Sequence, residues 1–127
     1  MTTVPSSDRE RDARHPLPDV VGRLVQPTAD RFERLLHRSD EPVDPRTVDE
    51  RKYEPTRQLA GEDVLLVDDT WTTGANAQSA ALALKGAGAG AVGVVVIGRH
   101  IHDDYGDNAQ RLKAALPRFS WERCALE

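Results

Sequence analysis

Two short apolar runs, with an alanine-rich segment between them, form the clearest pattern in this chain. Residues 64–67 and 94–97 each place four apolar side chains in succession, which predicts two buried strands of a parallel sheet. Residues 75–85 are rich in alanine, favour a helix and repeat small side chains at helical spacing. The order strand, helix, strand predicts an α/β fold with an open, mainly parallel sheet and flanking helices.

The first sixty residues give weaker signals. Residues 2–4 are β-branched and predict a short strand that ends at the following proline. Residues 8–14 indicate a charged loop, and residues 15–26 a helix that the next proline ends. Residues 32–37 fit a helix or a strand, and we favour a strand. Residues 39–57 are polar and rich in proline, so we predict a flexible loop there.

Composition bounds the class of protein. The 127 residues suffice for one domain, which we expect to span residues 1–127. Hydrophobic residues make up 39% and charged residues 30%, which is typical of a globular protein. No apolar run reaches the ~18 residues of a membrane span and no signal peptide is evident, so we expect a cytoplasmic protein that binds no membrane. The net charge of −4 argues against nucleic-acid binding, and the single Cys124 excludes an internal disulfide.

The polar residues after the first apolar run point to an anion site. Asp68 and Asp69 follow the predicted strand directly, and Thr72, Thr73 and Gly74 precede the predicted helix. A helix N-terminus offers free amide donors and about +0.5 of charge, threonine hydroxyls add donors, and glycine allows close backbone approach. Carboxylates beside a bound phosphate are favourable only if they face sugar hydroxyls or a divalent cation. A sugar phosphate bound with a metal ion meets all of these conditions.

Residues 64–75 resemble, at every position, the signature with which type I phosphoribosyltransferases bind 5-phosphoribosyl-1-pyrophosphate (PRPP). The signature is a hydrophobic strand, two acids, two variable residues, two threonines or serines, a glycine and a small residue. The resemblance implies Mg²⁺ as cofactor, carried by PRPP, with the acid pair as its nearest protein groups. It implies a catalytic pair, Asp68 and Asp69, on the ribose hydroxyls, and PRPP-binding residues around the 5-phosphate: Thr70, Trp71, Thr72, Thr73, Gly74 and Ala75.

The opening of the chain resembles phosphoribosyltransferase-like proteins related to the bacterial competence protein ComF. The shared features are a Val-Pro-Ser-Ser strand end, an arginine-containing loop and a His-Pro-Leu helix start. The resemblance implies that this loop binds pyrophosphate through Ser6, Ser7, Arg9 and Arg11, because guanidinium groups suit phosphate oxygens. The sequence departs from the family here, since three acids intervene and the usual glycine is missing. A solvated charged loop remains the alternative.

The same resemblance bears on the rest of the fold. Relatives carry additional sequence before the Val-Pro-Ser strand, which implies a small and incomplete core in this chain. A truncated N-terminus and a site completed by a partner chain, including a homodimer, are both left open. The resemblance also implies that residues 39–57 form a flexible hairpin that closes over the substrate, and that Tyr105 holds the acceptor base. A disordered linker is the alternative for residues 39–57, and a plain turn is the alternative for the segment that contains Tyr105.

Two further motifs give weaker evidence of a binding site. Residues 88–93 match G-x-G-x-x-G, but they follow a helix and precede a strand, the reverse of the dinucleotide-binding order, so we interpret them as a turn. His100 and His102 stand two residues apart, and two such ligands do not make a metal site by themselves.

The resemblance implies a function in nucleotide metabolism. A phosphoribosyltransferase would transfer ribose 5-phosphate from PRPP to a nitrogenous base and release pyrophosphate. The alternative is a catalytically inactive module of the same fold that senses PRPP or a nucleotide. A third interpretation, a receiver domain with paired aspartates, is weaker because nothing equivalent to its later phosphorylated aspartate follows residue 97.

Overall fold

The computed structural model describes residues 1–6, 8–100 and 106–110. Within these residues the strands form a three-stranded sheet and a separate two-stranded hairpin. In chain order the elements are β1 (Thr2–Thr3), α1 (Arg9–Ala13), α2 (Pro16–Asp19), a π-helical turn (Val20–Leu24), α3 (Gln26–Ala29), β2 (Leu36–Arg38), a 3-10 turn (Glu50–Lys52), β3 (Tyr53–Pro55), β4 (Val64–Trp71), α4 (Ala75–Gly86) and β5 (Val92–Arg99).

The three-stranded sheet is parallel throughout, with β4 in the middle. β1 pairs with one edge of β4, where Thr2 lies opposite Leu66, and β5 pairs with the other edge from Val64 to Trp71. The predicted α/β class and open parallel sheet are confirmed. β4 is longer than the apolar run predicted, because its pairing with β5 continues through Asp68 and Thr70. The acid pair therefore lies within the strand rather than in the loop after it.

The main core lies between the sheet and α4. Ala77, Ala80 and Leu84 are fully buried on α4, and Ala80 and Leu84 share a core cluster with Leu66 of the central strand. Small side chains let the helix axis approach the sheet closely, and this brings the start of α4 to the carboxyl end of β4. The predicted helix at residues 75–85 is confirmed and extends by one residue.

β5 is less buried than its sequence predicted. Val95 is 50% exposed and Ile97 is 68% exposed, and most of the strand has the same character. A run of consecutive apolar residues predicts a strand covered on both faces. In the described part of the chain no helix covers β5 on the face opposite α4, so the prediction of a buried strand is wrong for these residues.

The N-terminal segment packs on the other face of the sheet. Leu17 and Val21 contact Val67 of β4, with Met1 and Phe32 at the edge of this smaller cluster. The predicted charged loop at residues 8–14 is wrong, because residues 9–13 form α1. Asp8 caps this helix by accepting a hydrogen bond from the Arg11 amide at 2.9 Å, an aspartate N-cap that the charge pattern concealed.

The sequence made two predictions about breaks at proline and glycine, of which the first is wrong and the second is confirmed. Pro27 does not end the preceding helix. That helix ends at Leu24, and Pro27 occupies the first turn of α3, where a missing amide costs no hydrogen bond. Residues 88–91 form a turn between α4 and β5, as predicted, and residues 92–93 begin β5. Glycine is required at Gly90, because a Cβ there would overlap the Gly61 carbonyl oxygen.

Residues 39–57 contain more structure than the sequence predicted. β2 and β3 pair in antiparallel fashion, with His37 opposite Glu54, and the chain between them includes the 3-10 turn. The predicted strand near residues 32–37 lies slightly later, at β2. Lys52 and Tyr53 are buried, and the Asp49 amide donates to Ser79 Oγ on α4 at 2.9 Å. The β2–β3 hairpin is thereby fixed to the main domain. Among the described helices, none is long and apolar enough to cross a membrane.

Replacement of Leu66 by alanine should lower the free energy of unfolding by about 2–5 kcal/mol, because a fully buried leucine on the central strand leaves a cavity. Leu65 provides a matched control, since it is the neighbouring residue on β4 but is 36% exposed. Leu65→Ala should cost less than about 1 kcal/mol. Urea denaturation followed by circular dichroism measures both free energies of unfolding. Equal losses for the two variants would contradict the assignment of Leu66 to the buried face of β4 and of Leu65 to the exposed face.

Candidate functional site

The candidate site lies at the carboxyl end of β4, where the strand passes into a short loop and then α4. Consecutive side chains of a strand point to opposite faces, so Asp68 and Asp69 leave β4 in different directions. Asp68 lies on the same face as Leu66 and is 9% exposed. Asp69 lies on the face of Val67, with 49% of its side chain exposed. The carboxyl ends of strands in an open α/β sheet are where such folds bind ligands.

Asp68 is a buried carboxylate with an altered pKa. Burial raises its pKa from 3.8 to about 6, and the neighbouring charge of Asp69 acts in the same direction. Its Oδ1 accepts a hydrogen bond from the Asp69 amide at 3.1 Å, which partly offsets both effects. Asp68 therefore changes its charge close to neutral pH, where an added cation or hydroxyl donor would favour the ionised form.

Asp69 is held by a histidine that the sequence reasoning treated only as a helix start. His15 Nε2 lies 3.1 Å from Asp69 Oδ2. The other ring nitrogen, Nδ1, accepts a hydrogen bond from the Leu17 amide at 3.3 Å and caps α2. Because Nδ1 acts as an acceptor, Nε2 carries the hydrogen and donates to Asp69. His15 thus orients the carboxylate, and neither ring nitrogen is left to act as a base.

The β2–β3 hairpin also reaches the acid pair. Tyr53 is 3% exposed, and its hydroxyl lies 3.5 Å from the Pro5 carbonyl oxygen at the end of β1. Burial raises the pKa of Tyr53 to about 12; the nearby Asp68 carboxylate adds to the shift and the Arg38 guanidinium opposes it. The hairpin therefore borders the site, in the region where the resemblance implies a closing element.

The loop between β4 and α4 presents backbone donors. Thr72 and Thr73 are exposed, and Thr73 Oγ1 accepts a hydrogen bond from the Ala75 amide at 3.3 Å. The amides of Gly74, Asn76 and Ala77 find no acceptor within the described residues. These donors lie at the positive end of a twelve-residue helix. The geometry is that of an anion-binding helix start.

Gly74 is required for a reason internal to the protein. It adopts a left-handed conformation with φ of +78° and is the N-cap of α4. A Cβ at this position would overlap the indole ring of Trp71, which lies against the glycine. The sequence explained Gly74 by the approach of an anion alone. The structure adds an intramolecular constraint, since Trp71 and Gly74 pack together.

The expected pyrophosphate loop has a different form. The Ser6 amide donates to Asp12 Oδ1 at 2.7 Å, so it is already hydrogen-bonded within the protein. Arg9 and Arg11 lie on α1 rather than in a loop, and Arg11 is exposed. Ser7, the side chain of Arg9 and Tyr105 lie outside the described part of the structure. The three acids of this segment have partners within the protein: Asp8 caps α1, Glu10 pairs with Arg14 at 3.3 Å and Asp12 accepts from the Ser6 amide.

The donor set limits how a metal could be held. Within residues 1–6, 8–100 and 106–110, no group of three His, Cys, Asp or Glu side chains comes together. Asp68 and Asp69 are the carboxylates on the strand that leads into the helix start. Mg²⁺ keeps several waters and is commonly bound by one or two carboxylates together with substrate phosphates. The residues present fit a metal that arrives with a phosphorylated ligand better than one held by the protein alone.

Comparisons of the chain with protein-family models, with curated proteins and with solved structures give no match. A function therefore has to be inferred from the fold and the side chains at the end of β4.

Asp68→Asn should stabilise the protein at pH 7. Because the pKa of Asp68 is about 6 in the folded state, against an ordinary value of 3.8, the folded state holds a proton that the unfolded chain has lost between these values. The free energy of unfolding should therefore fall as the pH rises from about 4 to about 6, by ~1–3 kcal/mol. Asparagine removes this dependence and keeps the Oδ1 acceptor.

Thermal unfolding at pH 4, 5, 6 and 7 measures the effect. The exposed carboxylate of Asp19, replaced as Asp19→Asn, serves as the control and should leave the pH dependence as in the parent. A parallel pH profile for Asp68→Asn and the parent would show that Asp68 is not the titrating group.

Proposed function

We propose that the chain is a type I phosphoribosyltransferase-like protein that binds PRPP and transfers its ribose 5-phosphate to a nitrogenous base. One observation carries the proposal: the acid pair lies at the carboxyl end of the central strand, and the amides of Gly74, Asn76 and Ala77 at the start of α4 have no acceptor among the described residues. Carboxylates suit sugar hydroxyls, and helix-start amides suit a phosphate. A ribose 5-phosphate presents both groups at one end of a single ligand.

The roles follow from the two kinds of group. The amides of the β4–α4 loop would bind the 5-phosphate, with the exposed hydroxyls of Thr72 and Thr73 as further donors. The carboxylates of Asp68 and Asp69 would accept hydrogen bonds from the ribose hydroxyls and would stabilise positive charge as the anomeric carbon loses its leaving group. Mg²⁺ would neutralise charge on the diphosphate of PRPP.

His15 would serve as a positioning residue in this scheme. Its Nε2–H donates to one oxygen of Asp69 and leaves the second oxygen for the ligand. The imidazole is itself fixed by the Leu17 amide, so the carboxylate is oriented before the ligand arrives. Orientation before binding lowers the entropy that binding must overcome.

The alternative is a binding module of the same fold without catalysis. It is favoured by the Ser6 amide, which is hydrogen-bonded to Asp12 where the resemblance implies contacts to pyrophosphate. A donor already paired within the protein is not available to stabilise a leaving group. Such a module would bind PRPP or a nucleotide as a signal.

Isothermal titration with PRPP, with and without Mg²⁺, tests the binding part of the proposal. We expect saturable binding that strengthens with Mg²⁺ and is weakened at least ~10-fold by Asp69→Asn, because a charged acceptor is lost from the ribose end. Asp19→Asn again provides the control, since it removes an exposed carboxylate on α2. Equal PRPP affinity for both variants and the parent would remove Asp69 from the site.

Release of diphosphate from PRPP separates the enzyme from the binding module. We expect Mg²⁺-dependent release in the presence of at least one base from a panel of purines, pyrimidines and nicotinate-type rings. The measurement is a coupled colorimetric assay for diphosphate. PRPP binding without release across the panel would support the binding module and reject the transferase.

A further inference from the structure

A polar cavity lies between α1 and β2, and no residue of the β4–α4 loop lines it. Its volume is about 250 Å³, and it is lined by Asp12, Ala13, Arg34, His37 and Arg38. Two guanidinium groups and an imidazole thus share a small space with one carboxylate. Neither Arg34 nor Arg38 was among the site residues predicted from the sequence.

The carboxylate of the cavity is fully engaged. Asp12 Oδ2 accepts a hydrogen bond from Arg34 Nη1 at 2.9 Å, and its Oδ1 accepts from the Ser6 amide at 2.7 Å. Asp12 is 15% exposed, so its charge is matched by Arg34 in a partly desolvated ion pair. Arg34 uses one of the five N–H donors of its guanidinium in this pair, which leaves four.

Arg38 has no such partner. No carboxylate of the described residues forms an ion pair with it, and its Nη1 is buried without a hydrogen-bond acceptor. Its guanidinium lies 5.3 Å from the centre of the Tyr53 ring, and a side-chain hydrogen bond between Arg38 and Tyr53 opposes the rise that burial causes in the pKa of Tyr53. These contacts offset only part of the lost hydration and leave Nη1 without an acceptor. A buried donor on a charged group without an acceptor is unfavourable, and in native proteins such groups usually mark a bound ion, a water or a functional role.

A second cation adds to the positive charge of the hairpin. Lys52 is fully buried, and its Nζ donates to the Pro45 carbonyl oxygen at 2.9 Å. Burial lowers the pKa of Lys52, and the charge of Arg38 lowers it further, whereas Asp44 and Asp49 oppose these effects. Asp49 is itself paired with Arg51 at 2.6 Å. Arg38 is thus close enough to a second, buried cation for the two charges to repel each other.

We propose that this cavity binds a phosphate-type oxyanion between the guanidinium groups of Arg38 and Arg34. Arginine presents several donors in a plane that matches phosphate oxygens, and the ligand would supply the negative charge that Arg38 lacks. His37 lines the same cavity and offers a further donor. The phosphate group could belong to inorganic phosphate or to a larger ligand such as PRPP. The site uses α1 and β2 rather than the β4–α4 loop, so it does not depend on the proposed transferase function.

Amide chemical-shift mapping on the full ¹⁵N-labelled chain tests the site without any substitution. Inorganic phosphate is added at constant ionic strength, with chloride as the replaced ion. We expect saturable shifts at Ala13, His37 and Arg38. Absence of saturation at these residues up to ~10 mM phosphate, where a site of the weakest useful affinity would be occupied, would overturn the proposal.

Variants identify the guanidinium that carries the binding. Arg38→Gln should weaken phosphate binding at least ~10-fold, and Arg38→Lys should weaken it less, because lysine keeps the charge and loses the planar donors. Arg23→Gln, at an exposed arginine of the π-helical turn, is the matched control and should bind as the parent. Equal phosphate affinity of Arg38→Gln and Arg23→Gln would overturn the assignment.

A purely structural role of Arg38 on the Tyr53 ring gives a different result. In the parent, phosphate should raise the thermal midpoint in proportion to its binding, and this increment should disappear in Arg38→Gln. A structural role would lower the midpoint of Arg38→Gln but leave the phosphate increment unchanged, which would count against the proposal. If Arg38→Gln does not fold, Arg34→Gln takes its place, with the same expected loss of the increment.

Titrations with diphosphate and with PRPP show which ligand supplies the phosphate group. They also distinguish binding in this cavity from binding at the proposed transferase site. Shifts at His37 and Arg38 with inorganic phosphate, but none at Gly74, Asn76 or Ala77 with PRPP, would support the cavity and reject the transferase proposal. Shifts at the β4–α4 loop with PRPP, but none at His37 and Arg38 with any of the three ligands, would do the reverse.

Discussion

The pairing of β4 on both edges is the constraint on which the rest of the structure depends. β1 fixes one edge and β5 the other, so the strand cannot slip in register without reversing the facing of every side chain. That register buries Leu66 beneath α4 and places Val67 against the N-terminal helices. The same alternation, continued to the end of the strand, separates Asp68 from Asp69.

This separation gives the two carboxylates different chemistry. Asp68 faces the side of α4 and the hairpin, where burial raises its pKa to about 6. Asp69 faces the side of α2, where His15 donates a hydrogen bond to it and half of its side chain stays exposed. Two neighbouring residues of one type thus differ in hydration and in partners because a strand points them in opposite directions. A ligand that contacts both would have to reach around the end of β4.

Charge is distributed unevenly around this end of the sheet. The end of β4 carries two carboxylates, whereas the hairpin carries the buried Lys52, near Asp44 and Asp49, and Arg38, whose Nη1 is buried without an acceptor. Tyr53 lies between them, close to Arg38 and within the influence of Asp68. Asp12 joins the two regions, because it binds Arg34 and the Ser6 amide at the end of β1. A ligand with both hydroxyl and phosphate groups would match this distribution.

The sequence by itself determined the parallel strands at β4 and β5, the helix α4 between them and the Thr-Thr-Gly loop that begins that helix, because these depend on local periodicity and turn chemistry. It did not predict α1 within residues 8–14, where an aspartate caps a charged helix, or the burial of Lys52 and Tyr53 within residues 39–57. Only the tertiary structure decided the His15–Asp69 contact, which spans 54 positions, and the meeting of Arg34, Arg38 and Asp12. Contacts of this kind depend on how separate elements pack, and no local pattern in the chain encodes them.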